Sequence, residues 1–260
     1  MSLADEYKRQ FGWRSWQTLL DALPRLSGQT VLDLGCAVGD QAAELVARGA
    51  RVIGLEANEE LLLAAQSRGL PNAEFRQADL RALADPGVVA DGIWSSFVAA
   101  FFPDLSGALA SWSRFLRPGG WIALTEIDDL FGHLPLSVKA RSLLDGYARD
   151  AVLAGRYDFH MGHQLAVHLE RAGFAVAKEF TVEDQELSFR GPAQPDVVEA
   201  WRLRFERMKL LQDFCGEDFE RVRDEFLACL GRSDHESAAK VCCCIGIKPA
   251  PDLSGTAPDR

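Results

Sequence analysis

Val31-Leu32-Asp33-Leu34-Gly35-Cys36-Ala37-Val38-Gly39-Asp40 runs from an apolar stretch into a turn that holds two glycines. Thr30 to Leu34 reads as a buried strand, and Asp40 to Arg48 as an amphipathic helix stopped at Gly49. The same rhythm repeats outward. Arg51 to Leu55 is a second strand, after which Asn58 can cap a helix with Glu59 and Glu60 in its first turn. Ala73 to Gln77, Gly92 to Ser95 and Trp121 to Ile127 are three further strands. Asp104 to Leu116 is a helix that ends in the stop Arg117-Pro118-Gly119-Gly120. Strands joined by crossovers require a parallel sheet covered on both faces. The fold class is α/β, with a doubly wound sheet.

The second half has a different grammar. Helices are expected at Leu136 to Leu153 and Met161 to Ala172, and a sixth strand within Ala175 to Phe189. Val198, Trp201, Phe205 and Met208 mark another helix, and Phe219, Val222 and Phe226 one more. Val241 to Ile247 is the last strand. The first twenty-odd residues read as one helix carrying Tyr7, Phe11, Trp13 and Trp16.

Composition narrows the function. Of 260 residues, 48% are hydrophobic and 25% charged, the balance of a folded globular chain. Lys and Arg number 28 against 38 Asp and Glu, a net charge of −10, which weighs against a broad nucleic-acid-binding face. No uninterrupted apolar run reaches the ~20 residues of a membrane helix. The acidic start, Met1 to Glu6, does not read as a signal peptide. Six cysteines include the run Cys242-Cys243-Cys244, but no C-x-x-C pair. Alternate strand residues face opposite ways, so the run suits buried, reduced thiols in a cytoplasmic protein better than a metal site. No metal is expected.

The turn after the first strand is not a pyrophosphate fingerprint: Ala37 and Asp40 stand where G-x-G-x-x-G needs glycine, and no Gly-Lys-Ser/Thr occurs. An acid, Asp33, stands before the first glycine and suits a cationic ligand. A second acid, Glu56, ends the second strand about twenty residues on, where a carboxylate can accept both ribose hydroxyls. A third, Asp79, ends the third strand, placed for an exocyclic amine, although it could simply cap the next turn. Three such acids describe a ligand with a cation, a ribose and an aminated base, and no phosphate. S-adenosylmethionine has that composition.

VLDLGCAVGD (Val31 to Asp40), VIGLEAN (Val52 to Asn58), FRQADL (Phe75 to Leu80), DGIWSS (Asp91 to Ser96) and FLRPGGWIALTEI (Phe115 to Ile127) follow one another in the order and spacing of a known family. The chain resembles class I S-adenosylmethionine-dependent methyltransferases of the small-molecule type. Ala37 departs from the family's E/D-x-G-x-G-x-G at its middle glycine. The resemblance implies a seven-stranded, mostly parallel, Rossmann-like sheet of order 3-2-1-4-5-7-6 with an antiparallel last strand and helical lid elements. It implies one domain over 1–260, with a helical cap at 1–28 and a cofactor-binding core at 29–130. A lid region is expected at 131–172, a helical insertion at 190–235 and a disordered tail at 249–260. Carried over by position, Asp33, Gly35, Ala37 and Gly39 line the methionyl part of S-adenosylmethionine. Glu56 takes the ribose with Ala57 beside the adenine, Asp79 and Leu80 face the adenine, and Trp94 and Ser95 close over the cofactor. Trp94 could equally be ordinary core.

The acceptor should enter above the same sheet edge, under the N-terminal helix, the helix from Leu136 and the insertion around Trp201. Glu126 and His133 are candidates for a base and its orienter. Phe97, Asp128, Tyr147, His160 and His163 are candidates for the acceptor site. If two or three of Phe97, Phe101, Phe102, Trp121, Tyr147 and Trp201 stand beside Glu126 or Asp128, a cationic acceptor becomes attractive. Ser95-Ser96-Phe97 replaces the Asn/Asp-Pro-Pro-aromatic of enzymes that methylate base amines. The expected partner is therefore a small molecule rather than nucleic acid or membrane, with monomer and homodimer both open. Methylation of a protein side chain and a non-catalytic cofactor-binding scaffold are the alternatives. A dehydrogenase would need a dinucleotide fingerprint or a Tyr-x-x-x-Lys pair, and neither is present.

Overall fold

β1 (Thr30–Leu34) lies inside a seven-stranded sheet and is hydrogen-bonded on both sides. The structure, a computed structural model, describes residues 3–250. β1 pairs in parallel with β2 (Arg51–Glu56) and β4 (Ala90–Ser96), which pair in parallel with β3 (Ala73–Gln77) and β5 (Leu116–Asp128) respectively. A short strand, β6 (His133–Leu134), precedes β7 (Ala175–Val182), and another, β8 (Glu236–Ser237), precedes β9 (Lys240–Ile247). The large sheet has the order β3-β2-β1-β4-β5-β9-β7, and β9 runs antiparallel to both β5 and β7. This is the topology expected from the sequence.

Alternation along the strands builds two cores. Val31, Val52, Trp94 and Trp121 point to one face, where they join Trp16 and Leu19. Leu32, Ile53, Ile93 and Ile122 point to the other, against Leu105, Leu109 and Leu165. The crossovers are α3 (Asp40–Ala47), α4 (Glu59–Gln66) and α5 (Leu105–Ser113). Their starts follow the expected chemistry: Asn58 Oδ1 accepts the Leu61 N–H at 3.1 Å, and Asp104 Oδ1 accepts that of Gly107 at 2.9 Å. β9 carries Cys242 to Cys244 beside β5. All three thiols are unpaired, and burial raises them to about 11, 12 and 12 in turn.

Several expectations change. The N-terminal segment forms two helices, α1 (Leu3–Phe11) and α2 (Trp16–Ala22), separated by a turn in which Arg14 makes an isolated antiparallel bridge with Asp184. β5 begins at Leu116, so Arg117 to Gly120 belongs to the strand rather than to a terminating turn. A register shift between Ala90 and Gly92 admits it, and Lys248 exchanges backbone hydrogen bonds with Gly119 and Gly120. α6 (Val138–Leu153) matches its prediction closely, whereas the helix expected from Met161 opens as a 3-10 turn before α7 (Leu165–Arg171). The insertion holds three helices, not two: α8 (Pro195–Arg207), α9 (Lys209–Cys215) and α10 (Phe219–Leu230). The antiparallel β6–β8 pair was not foreseen. Most of the expected tail, 251–260, lies outside the described residues. Among the described residues, no helix is long and apolar enough to cross a membrane.

Candidate active site

A cavity of about 470 Å³ opens beyond the carboxyl ends of β1, β2 and β3, a size typical of small-molecule sites. Its floor is the turn Gly35-Cys36-Ala37-Val38. Gly35 has φ +77°, and a Cβ there would lie 2.4 Å from Val98 Cγ2, so the residue must be glycine for two separate reasons. Ala37 takes φ +46° without being glycine, and its N–H donates to Glu56 Oε2 at 3.0 Å. The other oxygen, Glu56 Oε1, accepts the Asn58 N–H at 2.8 Å. Glu56 is thus held rigidly at the end of β2, and each oxygen keeps a lone pair for a further donor.

Asp33 stands behind that floor. It is fully buried, and neither of its carboxylate oxygens has a hydrogen-bond partner. Burial first, and the charge of Glu56 second, push its pKa up to about 8. Asp33 does not itself line the cavity, but a buried carboxyl without a partner favours a cation nearby. Asp79 and Leu80 line the cavity with Ala57, and Asp79 Oδ1 also accepts the Arg81 N–H at 2.9 Å. Asp79 therefore caps a turn and lines the site at once.

The expected residues divide sharply. Gly35, Ala37, Glu56, Ala57, Asp79, Leu80 and Phe97 come together at the cavity. Gly39 does not line it, and instead precedes α3 with φ +76°. Trp94 is core, its Nε1 donating to Gln41 Oε1 at 3.0 Å. Ser95 is buried, its hydroxyl donating to the Leu34 carbonyl at 3.1 Å. The strand lines the cavity one to three residues later, through Ser96, Phe97 and Val98.

His133 is a correction. It is fully buried in β6, with Nδ1 3.0 Å from His235 Nε2, and it packs on Trp201 and Phe226 away from the cavity. Burial lowers its pKa to about 3. Tyr147 is likewise core, against Phe131, Phe159 and Phe214. Asp128, His160 and His163 form a separate surface cluster, with His163 Nδ1 2.7 Å and His160 Nδ1 3.7 Å from Asp128 Oδ1. Among the described residues no group of three or more His, Cys, Asp or Glu side chains is arranged to hold a metal.

Glu126 lies one layer below the cavity. Its carboxylate accepts the N–H of Ala100 at 3.1 Å and of Ile127 at 2.9 Å, and is hydrogen-bonded by the Tyr157 hydroxyl. Burial outweighs these bonds and raises its pKa to about 7. Tyr157 lines the cavity, so it connects that space to a carboxyl which water does not reach.

The roof comes from two of the elements expected to cover the acceptor, the N-terminal segment through Tyr7, Gln10, Phe11, Arg14 and Trp16 and the insertion through Arg204, but the sequence did not single out Gln10, Arg14 or Arg204. The only signal was aromatic density in the first helix. Arg14 bridges Asp184 at 2.8 Å and Glu186 at 3.2 Å, and Arg204 bridges Glu186 at 2.6 Å. The Ser15 N–H donates to the Glu183 carbonyl at 3.0 Å, and the Gln185 N–H to that of Trp13 at 3.0 Å. These contacts tie the N-terminal turn to the segment after β7.

Residues 32–124 match the family model described as a methyltransferase domain. The chain is 41% identical over 113 residues to a trans-aconitate 2-methyltransferase of Azoarcus sp. (strain BH72), covering 43% of this chain and 44% of that protein. It therefore matches less than half the length of that relative. It is 30% identical over 199 residues to nocamycin O-methyltransferase of Saccharothrix syringae, covering 69% of this chain and 70% of that one. An S-adenosylmethionine-dependent methyltransferase from Mesorhizobium loti shares the fold, with TM-score 0.52 and 20% identity, over 88% of this chain and 96% of that one. The fold and its strand-end site define a nucleoside-binding α/β protein that does not use a phosphate loop. More particularly, the chain belongs to the class I S-adenosylmethionine-dependent methyltransferases.

The residues present fit that cofactor. Asp33 lacks a partner and favours a cation nearby, the crowded Gly35 keeps the floor open, and Glu56 and Asp79 present oxygens at adjoining strand ends.

Proposed function

We propose that this chain transfers a methyl group from S-adenosylmethionine to an oxygen or nitrogen of a small-molecule acceptor. The observation that carries the proposal is one cavity lined both by the glycine turn with Glu56 and Asp79 and by aromatic side chains with Tyr157, which is bonded to Glu126. Asp33, Gly35, Ala37, Glu56, Ala57, Asp79 and Leu80 would hold the cofactor, which supplies an electrophilic methyl on a sulfonium. The chain's own task is to orient the acceptor, exclude water and take up its proton. Tyr7, Phe11, Trp16 and Phe97 line the space beside the glycine turn. The Tyr157 hydroxyl receives the acceptor's proton as its own passes to Glu126, whose pKa of about 7 suits a base at neutral pH.

A cavity of about 470 Å³ supports a small acceptor over a protein side chain. So do relatives named for trans-aconitate and for O-methylation of nocamycin. The Tyr157–Glu126 pair supports turnover over a non-catalytic scaffold. Incubation with labelled S-adenosylmethionine and pooled metabolites should yield a labelled small molecule, with activity rising through about pH 7 as Glu126 loses its proton. Glu126→Gln should remove that rise while adenosylhomocysteine still binds. Binding without any labelled product would favour the scaffold.

A further inference from the structure

The acids that line the cavity, Asp40, Glu56 and Asp79, all stand at or just after the carboxyl ends of β1, β2 and β3. The roof is charged differently, its ionic side chains being Arg14 and Arg204. Both are held from behind. Glu186 bridges the two guanidinium groups, and Asp184 adds a second hold on Arg14. Those carboxylates are wholly buried and do not line the cavity, so the cationic ends of the network face it.

Two donors on lining residues remain unpaired: Arg204 Nη1 and Trp16 Nε1. Buried donors are nearly always satisfied, and these two, sealed from solvent on residues that line one cavity, would be satisfied by a guest that accepts hydrogen bonds once the side chains turn toward it. The aromatic faces argue in the same direction. Arg14 lies 4.7 Å from the Phe97 ring centroid and Arg204 4.5 Å from that of Trp201. Of these rings Phe97 lines the cavity, so one of its aromatic faces is already taken by the protein's own arginine rather than left for a cationic acceptor. This reverses the cationic acceptor considered from the sequence, because Glu126 lies below the cavity and Asp128 outside it. A chain of net charge −10 repels anions at a distance, so selecting one requires a local, fixed pair of positive groups.

We infer that the methyl acceptor carries a carboxylate, received by Arg204 and Arg14 with the Trp16 indole N–H, so that its nucleophilic atom turns toward the floor. The planar fork of arginine matches a carboxylate, and the buried acids behind it hold the fork in place before the acceptor arrives. This rests on the methyl-transfer reading of the cavity.

The test is calorimetric titration of adenosylhomocysteine-loaded protein with hydroxybenzoate, hydroxycinnamate and citrate, each beside its methyl ester. At least one acid should bind roughly tenfold or more tightly than its ester, the scale of a charge-assisted contact. Arg204→Gln should erase that preference, and Arg204→Lys should keep part of it, because charge survives while the fork is lost. Both variants should bind adenosylhomocysteine within about twofold of wild type, since the floor is untouched. Equal binding of acid and ester, or binding of none of the acids, overturns the inference while leaving cofactor binding intact. Failure of the wild-type protein to bind adenosylhomocysteine would instead defeat the methyl-transfer reading itself, and this inference with it. If Arg204→Gln does not fold, Arg204→Lys decides: an undiminished preference for the acid overturns the role of the fork.

Discussion

Asp33→Asn separates the stability of this fold from its ligand chemistry. The wild-type carboxyl has its pKa moved from 3.8 to about 8 by complete burial without a hydrogen-bond partner. Between those values the folded protein holds a proton that the unfolded chain has released. Stability from this group is therefore whole below about pH 4 and falls as pH rises toward 8. At pH 7 the loss spans about three pH units, and at 1.36 kcal/mol each it has a ceiling of roughly 4 kcal/mol. Relaxation and water entry into the cavity would leave about half of that, or roughly 5 °C in Tm for a chain of this size. Asparagine has nearly the same shape and does not ionise. Any cost of its unpaired amide is the same at every pH, so the informative quantity is the slope. Thermal unfolding of both proteins without cofactor, from pH 4 to pH 8.5, should show the variant gaining on wild type across that window. Above about pH 8, where wild-type Asp33 is charged, the same variant should bind adenosylhomocysteine at least about tenfold more weakly, as expected when a charged partner is lost. Parallel curves across the whole range would refute the claim that Asp33 is an uncompensated buried acid.

Gly35→Ala should destabilise the protein by about 2–4 kcal/mol through its left-handed backbone and the collision with Val98; adding Val98→Ala should recover the steric part alone, as chemical denaturation would show. Glu56→Gln keeps the shape but weakens the grip on the Ala37 and Asn58 N–H groups, so adenosylhomocysteine affinity should fall about tenfold to a hundredfold by calorimetry. His133→Ala should lower stability by about 2–4 kcal/mol, because it opens a buried space beside Trp201 and Phe226. Its adenosylhomocysteine affinity should stay within about twofold, and a larger loss would return His133 to the site.

The sheet was legible because each strand–turn–helix unit carries its own local signals, and the floor residues belong to those same units. Asp33, Gly35, Glu56 and Asp79 are readable for that reason. The fourth strand misled by a residue or two. Trp94 and Ser95 still lie within hydrogen-bonded sheet, and the chain reaches the cavity only at Ser96 to Val98, with Phe97 at φ +59°. Tyr147, His133 and the surface histidines were chosen for their chemistry alone, and only packing decides which way such side chains face. The ion pairs that hold the roof together were illegible for a different reason. Arg14, Asp184, Glu186 and Arg204 meet across most of the chain, and no local pattern records a pairing at that distance.

That long-range stitching sets an order of assembly. Contacts between distant parts of a chain form late, because the loop between them must first be closed. The turn after β1 and the acid after β2 are neighbours in sequence and can organise as soon as β1, β2 and β4 associate. Arg14 waits for Asp184, and the arginine pair is complete only when Arg204 has docked on Glu186. During synthesis the turn after β1 and Glu56 at the end of β2 are therefore made before Asp184, Glu186 and Arg204, the residues that complete the arginine pair.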